Sequence, residues 1–83
     1  MAVAVLLSKS AQRDVETLPA VVQARVAEKI VALAAYPNVA GVKALKGALK
    51  GTYRVRVGSY RILFTTAPGA LTITAVDDRK EAY

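Results

Sequence analysis

The 83-residue chain contains no cysteine and no histidine. The first absence excludes disulfides and thiolate metal sites and is compatible with a reducing compartment. The second removes the commonest metal ligand and the side chain most often used as a general base. Any catalysis must therefore run on arginine, lysine, tyrosine, aspartate or glutamate, and neither a metal nor an organic cofactor is expected. Long apolar runs are missing as well. The opening MAVAVLL is short and has no basic segment before it, so it is read as a first β-strand rather than a leader or a membrane span. The expectation is a soluble, cytoplasmic protein with no membrane partner.

Acids are scarce where bases are dense. Twelve Lys and Arg against six Asp and Glu give a formal charge of +6. Residues 1–40 hold four bases and three acids, whereas residues 41–83 hold eight bases and three acids, and those acids (Asp77, Asp78 and Glu81) all lie near the end. Between Lys43 and Arg61 there are six bases and no acid. A block of this kind points to an anionic partner, most often nucleic acid. A chain of this length forms one domain, residues 1–83, near the lower end of what folds on its own core. Its 54% hydrophobic content is inflated by alanine, so the core must rest on Val, Leu, Ile, Tyr53, Tyr60 and Phe64.

Residues 2–7 read as a buried strand. Ser8 or Ser10 can cap a first helix that keeps Ala11, Val15 and Leu18 on one side, and Pro19 closes that helix or opens the next. The second helix, about 19–35, places Val22, Val26, Ile30 and Leu33 on one stripe, and Tyr36-Pro37-Asn38 ends it. Residues 39–51 read mainly as a connection rich in Gly, Ala and Lys. Strands follow at about 52–57, 60–66 and 71–76, with Asp77 and Asp78 in a turn after the last.

Gly58-Ser59 suits a two-residue type II′ hairpin, which fixes the register: Val57 faces Tyr60, Arg56 faces Arg61 and Val55 faces Ile62. Tyr53, Val55, Val57, Tyr60, Ile62 and Phe64 then share the face that meets the helices. Arg54, Arg56 and Arg61 share the other, with no acid interleaved. Like charges directly opposite one another in a sheet are destabilising, by about 0.2–1 kcal/mol. A phosphate gripped by forked guanidinium donors would turn that cost into binding energy. Charged faces also keep sheets soluble, but such faces usually mix signs.

The segments LKGALKGTYRVRVGSYRILFTT and LTITAVDDRKEAY resemble the C-terminal half of the RelE/ParE toxin superfamily. Its pattern is Leu-Lys-Gly, a basic strand ending in Arg-Val-Gly, Tyr-Arg-hydrophobic, and a terminal Arg with Tyr four residues later. The resemblance covers essentially the whole chain, its specific part lying between Leu45 and Tyr83. It implies an α+β fold in which a helical hairpin packs on a twisted, mainly antiparallel four-stranded sheet, in the order β-α-α-β-β-β. It also implies a toxin of a type II toxin–antitoxin system, held by a cognate antitoxin in a hetero-oligomer. RelE-type members cut mRNA in the ribosomal A site; ParE-type members poison DNA gyrase.

Carried over by position, the catalytic candidates are Arg54, Arg56, Arg61, Arg79 and Tyr83. RelE proteins often have lysine at the first two of these, and arginine there keeps the charge without giving up a proton readily. Asp78 stands where many relatives carry histidine or another basic residue. RNA can be cut without water or metal when its own 2′-OH attacks the adjacent phosphate, and the phosphorane needs fixed donors. Arg61, with Arg56 beside it, is assigned that role. Tyr83, a phenol that nearby cations would make more acidic, and Lys50 are the candidate bases. Lys43, Lys46 and Lys50 are assigned to backbone phosphates of mRNA or ribosomal RNA. A gyrase inhibitor that does no chemistry, and a non-catalytic RNA-binding module, remain as alternatives.

Overall fold

The apolar opening run forms a strand, β1 (Ala4–Leu7), and Ser8 begins the first helix, α1 (Lys9–Glu16). In this computed structural model of the protein, which describes residues 3–47 and 51–78, the Ser8 Oγ accepts from the Ala11 N–H at 3.1 Å. That contact satisfies one of the orphan donors every helix start presents. Pro19 lies one residue earlier than its expected place in the first turn: it is the N-cap of the second helix, α2 (Ala20–Ala32). A 3₁₀ turn, Leu33–Ala35, finishes the helical hairpin, and the Tyr36-Pro37 peptide bond beyond it is cis. The expected stripe on α2 faces inward, with Val26 and Leu33 fully buried and Val22 and Ile30 packed against them.

The remaining chain forms β2 (Lys43–Ala44), β3 (Thr52–Val57), β4 (Tyr60–Ala67) and β5 (Ala70–Asp78). The sheet therefore has five strands rather than four, in the order β1-β5-β4-β3-β2, with β1 parallel to β5 and the other pairs antiparallel. The extra strand, β2, lies in the segment expected to be a connection. Two residues are too few for any periodicity to show, and only the pairing of Lys43 with Arg54 and Ala44 with Tyr53 makes them a strand. The rest of the order β-α-α-β-β-β holds.

The β3–β4 register is the one the hairpin loop dictates: Val57 opposite Tyr60, Arg56 opposite Arg61, Val55 opposite Ile62. Gly58 takes φ +59° while Ser59 stays at negative φ, which fits a type II′ turn and not type I′, where both would be positive. Val55, Val57, Ile62, Phe64, Leu71, Ile73 and Val76 meet Ala11, Val26 and Leu33 in one core. Tyr53 joins it as expected. Its ring stacks on the fully buried Phe64 with centroids 5.8 Å apart, and Tyr36 meets both rings edge-on.

One irregularity organises the β4–β5 pair. Leu63 pairs with Ala75 but Phe64 pairs with Ile73, so Thr74 is an extra residue on β5. Strict alternation from Leu71 and Ile73 would turn Ala75 and then Asp77 toward the helices. The bulge reverses this parity, burying Val76 and carrying Asp77 to the opposite face. β1 has ended by this point, its last partner being Ile73, so β5 needs other groups along that edge. The Ser8 Oγ donates to the Thr74 carbonyl at 3.3 Å, and the Val76 N–H donates to Asp14 Oδ2 of α1 at 3.0 Å.

Asp14→Ala should strand the Val76 N–H and lower the unfolding free energy by about 1.5–3 kcal/mol, the range for hydrogen bonds to charged groups. Urea denaturation measures this, and Asp14→Asn, which keeps an acceptor, should lose less.

Candidate nucleic-acid interface

The sheet face turned away from the helices is built in rows by the register. Thr52, Thr65 and Thr72 form one row; Lys43, Arg54, Leu63 and Ala75 form the next; Arg56, Arg61 and Asp77 form the third. Lys43 thus joins the arginines through β2, opposite Arg54. Arg54 is half-buried and Arg56 exposed, and neither has an ion-pair partner among the described residues. Two cross-strand pairs of like charge, Lys43 with Arg54 and Arg56 with Arg61, adjoin each other on this face.

Arg61 differs from its neighbours and from the expectation of an acid-free face. It is only 6% exposed, and its Nε donates to Asp77 Oδ1 at 2.9 Å. Asp77 therefore lies not in a turn but within β5, directly across from Arg61, because the Thr74 bulge moved it there. Asp78 is likewise the last residue of β5 rather than a turn residue. The third row then reads cation, cation, anion, and Asp77 offsets part of the repulsion that Arg56 imposes on Arg61. Asp77 was not legible as a partner because the strand reads as ending at residue 76, with the two acids in a turn beyond it. The available signal was the run TITAVDD, in which Ile73 and Val76 can both be buried only if the strand bulges.

Of the other candidates, Lys46 is exposed and outside any strand. Lys50, Arg79 and Tyr83 lie outside the described residues, as does the sequence between residues 48 and 50. Among the described residues no three His, Cys, Asp or Glu side chains gather in a way that could hold a metal. No described helix is long and apolar enough to cross a membrane. What the face offers chemically is a held, recessed guanidinium flanked by projecting ones, an arrangement suited to anionic oxygens.

A helical hairpin on one face of a five-stranded sheet, with cations on the other, makes this a small α+β domain, and its relatives give the family. Residues 5–83 match the family model described as the ParE toxin of type II toxin–antitoxin systems, parDE. The toxin–antitoxin complex RelBE2 from Mycobacterium tuberculosis contains a chain 30% identical, with 95% of this chain and 100% of that one covered and a TM-score of 0.86. A chain of the archaeal RelE–RelB complex from Pyrococcus horikoshii is 24% identical over 95% of this chain and 97% of that one, with a TM-score of 0.78. An E. coli RelE mutant in the free state shares the fold at 17% identity, with 99% of this chain and 88% of that one covered and a TM-score of 0.79. No curated protein matches the chain. The protein belongs to the RelE/ParE superfamily of toxins of type II toxin–antitoxin systems.

Asp77→Asn keeps the shape of the third row and removes its only negative charge. The variant should elute from a heparin column at higher salt than the wild type, since the row loses its carboxylate. It should also lose stability, by at most the roughly 1.5–3 kcal/mol of a charge-assisted hydrogen bond, because Arg61 is buried while Asp77 is 37% exposed.

Proposed function

We propose that this toxin is a ribosome-dependent mRNA endoribonuclease that acts without a metal, through attack of the RNA 2′-OH on the adjacent phosphate. The observation that carries this reading is the Arg56–Arg61 cross-strand pair, with Arg61 recessed and anchored by Asp77. A phosphorane gains most from donors that do not have to reorganise during the reaction, and a guanidinium held in a row of strands fits that requirement. Exposed Arg56, with Arg54 and Lys43 in the adjoining row, supplies the charge that draws the strand in.

In the reaction the 2′-oxygen bonds to phosphorus as its proton passes to a base, for which Tyr83 and Lys50 are the candidates. The bond to the 5′-oxygen breaks and that oxygen takes up a proton, leaving a 2′,3′-cyclic phosphate and a 5′-hydroxyl. Arg79 would add a further cation beside the phosphate. Arginine at positions 54 and 56 limits those residues to electrostatic roles, so the proton transfers fall to other groups. With the ribosome as its site of action, the protein works in the cytoplasm. Several similar structures are RelB–RelE complexes, which supports a cognate antitoxin as the protein partner that holds this toxin inactive.

A second reading has its own support: the matching family model is that of ParE toxins. A ParE-like protein would use the same fold to bind DNA gyrase and would do no chemistry at the arginine row.

Expression in cells followed by mapping of mRNA ends separates the two. Cuts placed in register with codons on translating ribosomes are expected, falling about 10²–10³-fold in Arg61→Ala, the range for loss of one transition-state donor. Circular dichroism of the purified variant checks that the fold survives the loss of a buried side chain. Intact mRNA accompanied by stalled gyrase–DNA complexes would overturn the nuclease in favour of the second reading.

A further inference from the structure

α2 carries Arg25, Glu28, Lys29 and Ala32 at helical spacings of three and four, so they share one side of the helix. That side looks onto the end of β3. Together with Arg56, Val57 and Gly58 these residues line an open depression of about 440 Å³. The depression exists because β2 begins only at Lys43, opposite Arg54, and among the described residues no strand precedes it beside Val55–Val57. The two-residue hairpin makes Val57 and Tyr60 a hydrogen-bonded pair, so the backbone N–H of Arg56 points away from β4 toward this same open edge.

Arg25 and Arg56 are exposed and Lys29 is half-buried, yet none of the three has an ion-pair partner among the described residues, even with Glu28 in the same wall. Arg25 and Lys29 are like charges four residues apart, a spacing that costs a helix about 0.2–0.5 kcal/mol. This is a second place where the chain keeps unneutralised cations together at a local cost. Lys29 near the end of α2 gains something from the helix dipole, but Arg25, further from that end, does not.

We propose that this depression is a second phosphate-binding subsite, in which Arg25 and Lys29 hold the backbone of the same nucleic-acid strand whose phosphate lies at the Arg56–Arg61 row. It rests on the reading of the arginine face as an RNA surface and extends that surface over the edge of the sheet. Arg56 joins the two parts, since it pairs across strands with Arg61 and also lines the depression. Only Ala32 and Val57 offer apolar side chains in the walls, too little to seat the side chains of a peptide, so a phosphate backbone is the better occupant.

The full chain is titrated with a fluorescein-labelled 12-nucleotide single-stranded RNA at several salt concentrations, as wild type and as the double variant R25Q/K29Q. Each phosphate contact on a single strand contributes about 0.7 to the slope of log affinity against log salt, so the variant should show a slope shallower by about 1.4. Its affinity at low salt should fall by about tenfold or more, with an unchanged melting temperature. Cleavage mapped alongside keeps the two ideas separable. A variant with wild-type slope and affinity overturns the subsite while leaving an Arg61-dependent nuclease standing. A shallower slope in a protein that never cuts mRNA supports the subsite and overturns the nuclease. Wild-type RNA binding in the variant together with lost binding of a polyglutamate peptide overturns the subsite in favour of an acidic protein partner.

Discussion

The structure turns on one extra residue. Thr74 breaks the alternation of β5, and three consequences follow from that single offset: Val76 enters the core, Asp77 reaches Arg61, and α1 closes against the strand edge through Ser8 and Asp14. A bulge leaves backbone groups without regular ladder partners, and buried groups of that kind are costly unless another donor or acceptor meets them. Here the partners come from the first helix, Ser8 at its N-cap and Asp14 in its last turn. The element that shapes the basic face is thus tied to the first helix, more than fifty residues earlier in the chain. A chain with so small a core gains rigidity where its recessed arginine needs it.

Much of this was legible because the two-residue loop leaves few choices. Gly58-Ser59 fixed the β3–β4 register, and with it the identity of the inward and outward residues from Tyr53 to Phe64. The helical stripe of Val22, Val26, Ile30 and Leu33 was equally readable, since four apolar residues at helical spacing have one natural use. What could not be read was β2, which is defined by its partner rather than by its own pattern, and the bulge, which leaves almost no mark in composition. The error over Asp77 follows directly from the second. The apolar run ends at Val76, so two acids after it read as a turn, and nothing in composition marks the bulge that places Asp77 opposite Arg61.

The pairing of Arg61 with Asp77 changes what the arginine row can do. Three unpaired arginines would form a general anion trap, each guanidinium free to follow the ligand at an entropic cost. With its Nε engaged by Asp77 and its side chain nearly covered, Arg61 has lost most of that freedom before any ligand arrives. Side-chain ordering on binding costs about 0.5–1.5 kcal/mol for a long residue, so a pre-ordered donor retains that much for the ligand. The accompanying carboxylate weakens attraction for anions in general. An arrangement that lowers general affinity while fixing one donor favours selective stabilisation of a transition state over tight binding of any polyanion.

The same fold serves proteins that cut RNA and proteins that bind gyrase, so fold alone cannot choose between them. The difference must lie in whether the outer face of the sheet is organised for chemistry. A surface that only docks a protein has no need for a buried cation directly opposite another, since apolar contacts and rim charges give affinity with less strain. Keeping Arg56 opposite Arg61 costs stability in the free protein, and the Thr74 bulge is what brings an acid close enough to limit that cost. Two features of the backbone, the tight hairpin and the bulge, converge on a single guanidinium, and that convergence is the physical ground for proposing chemistry at the arginine row.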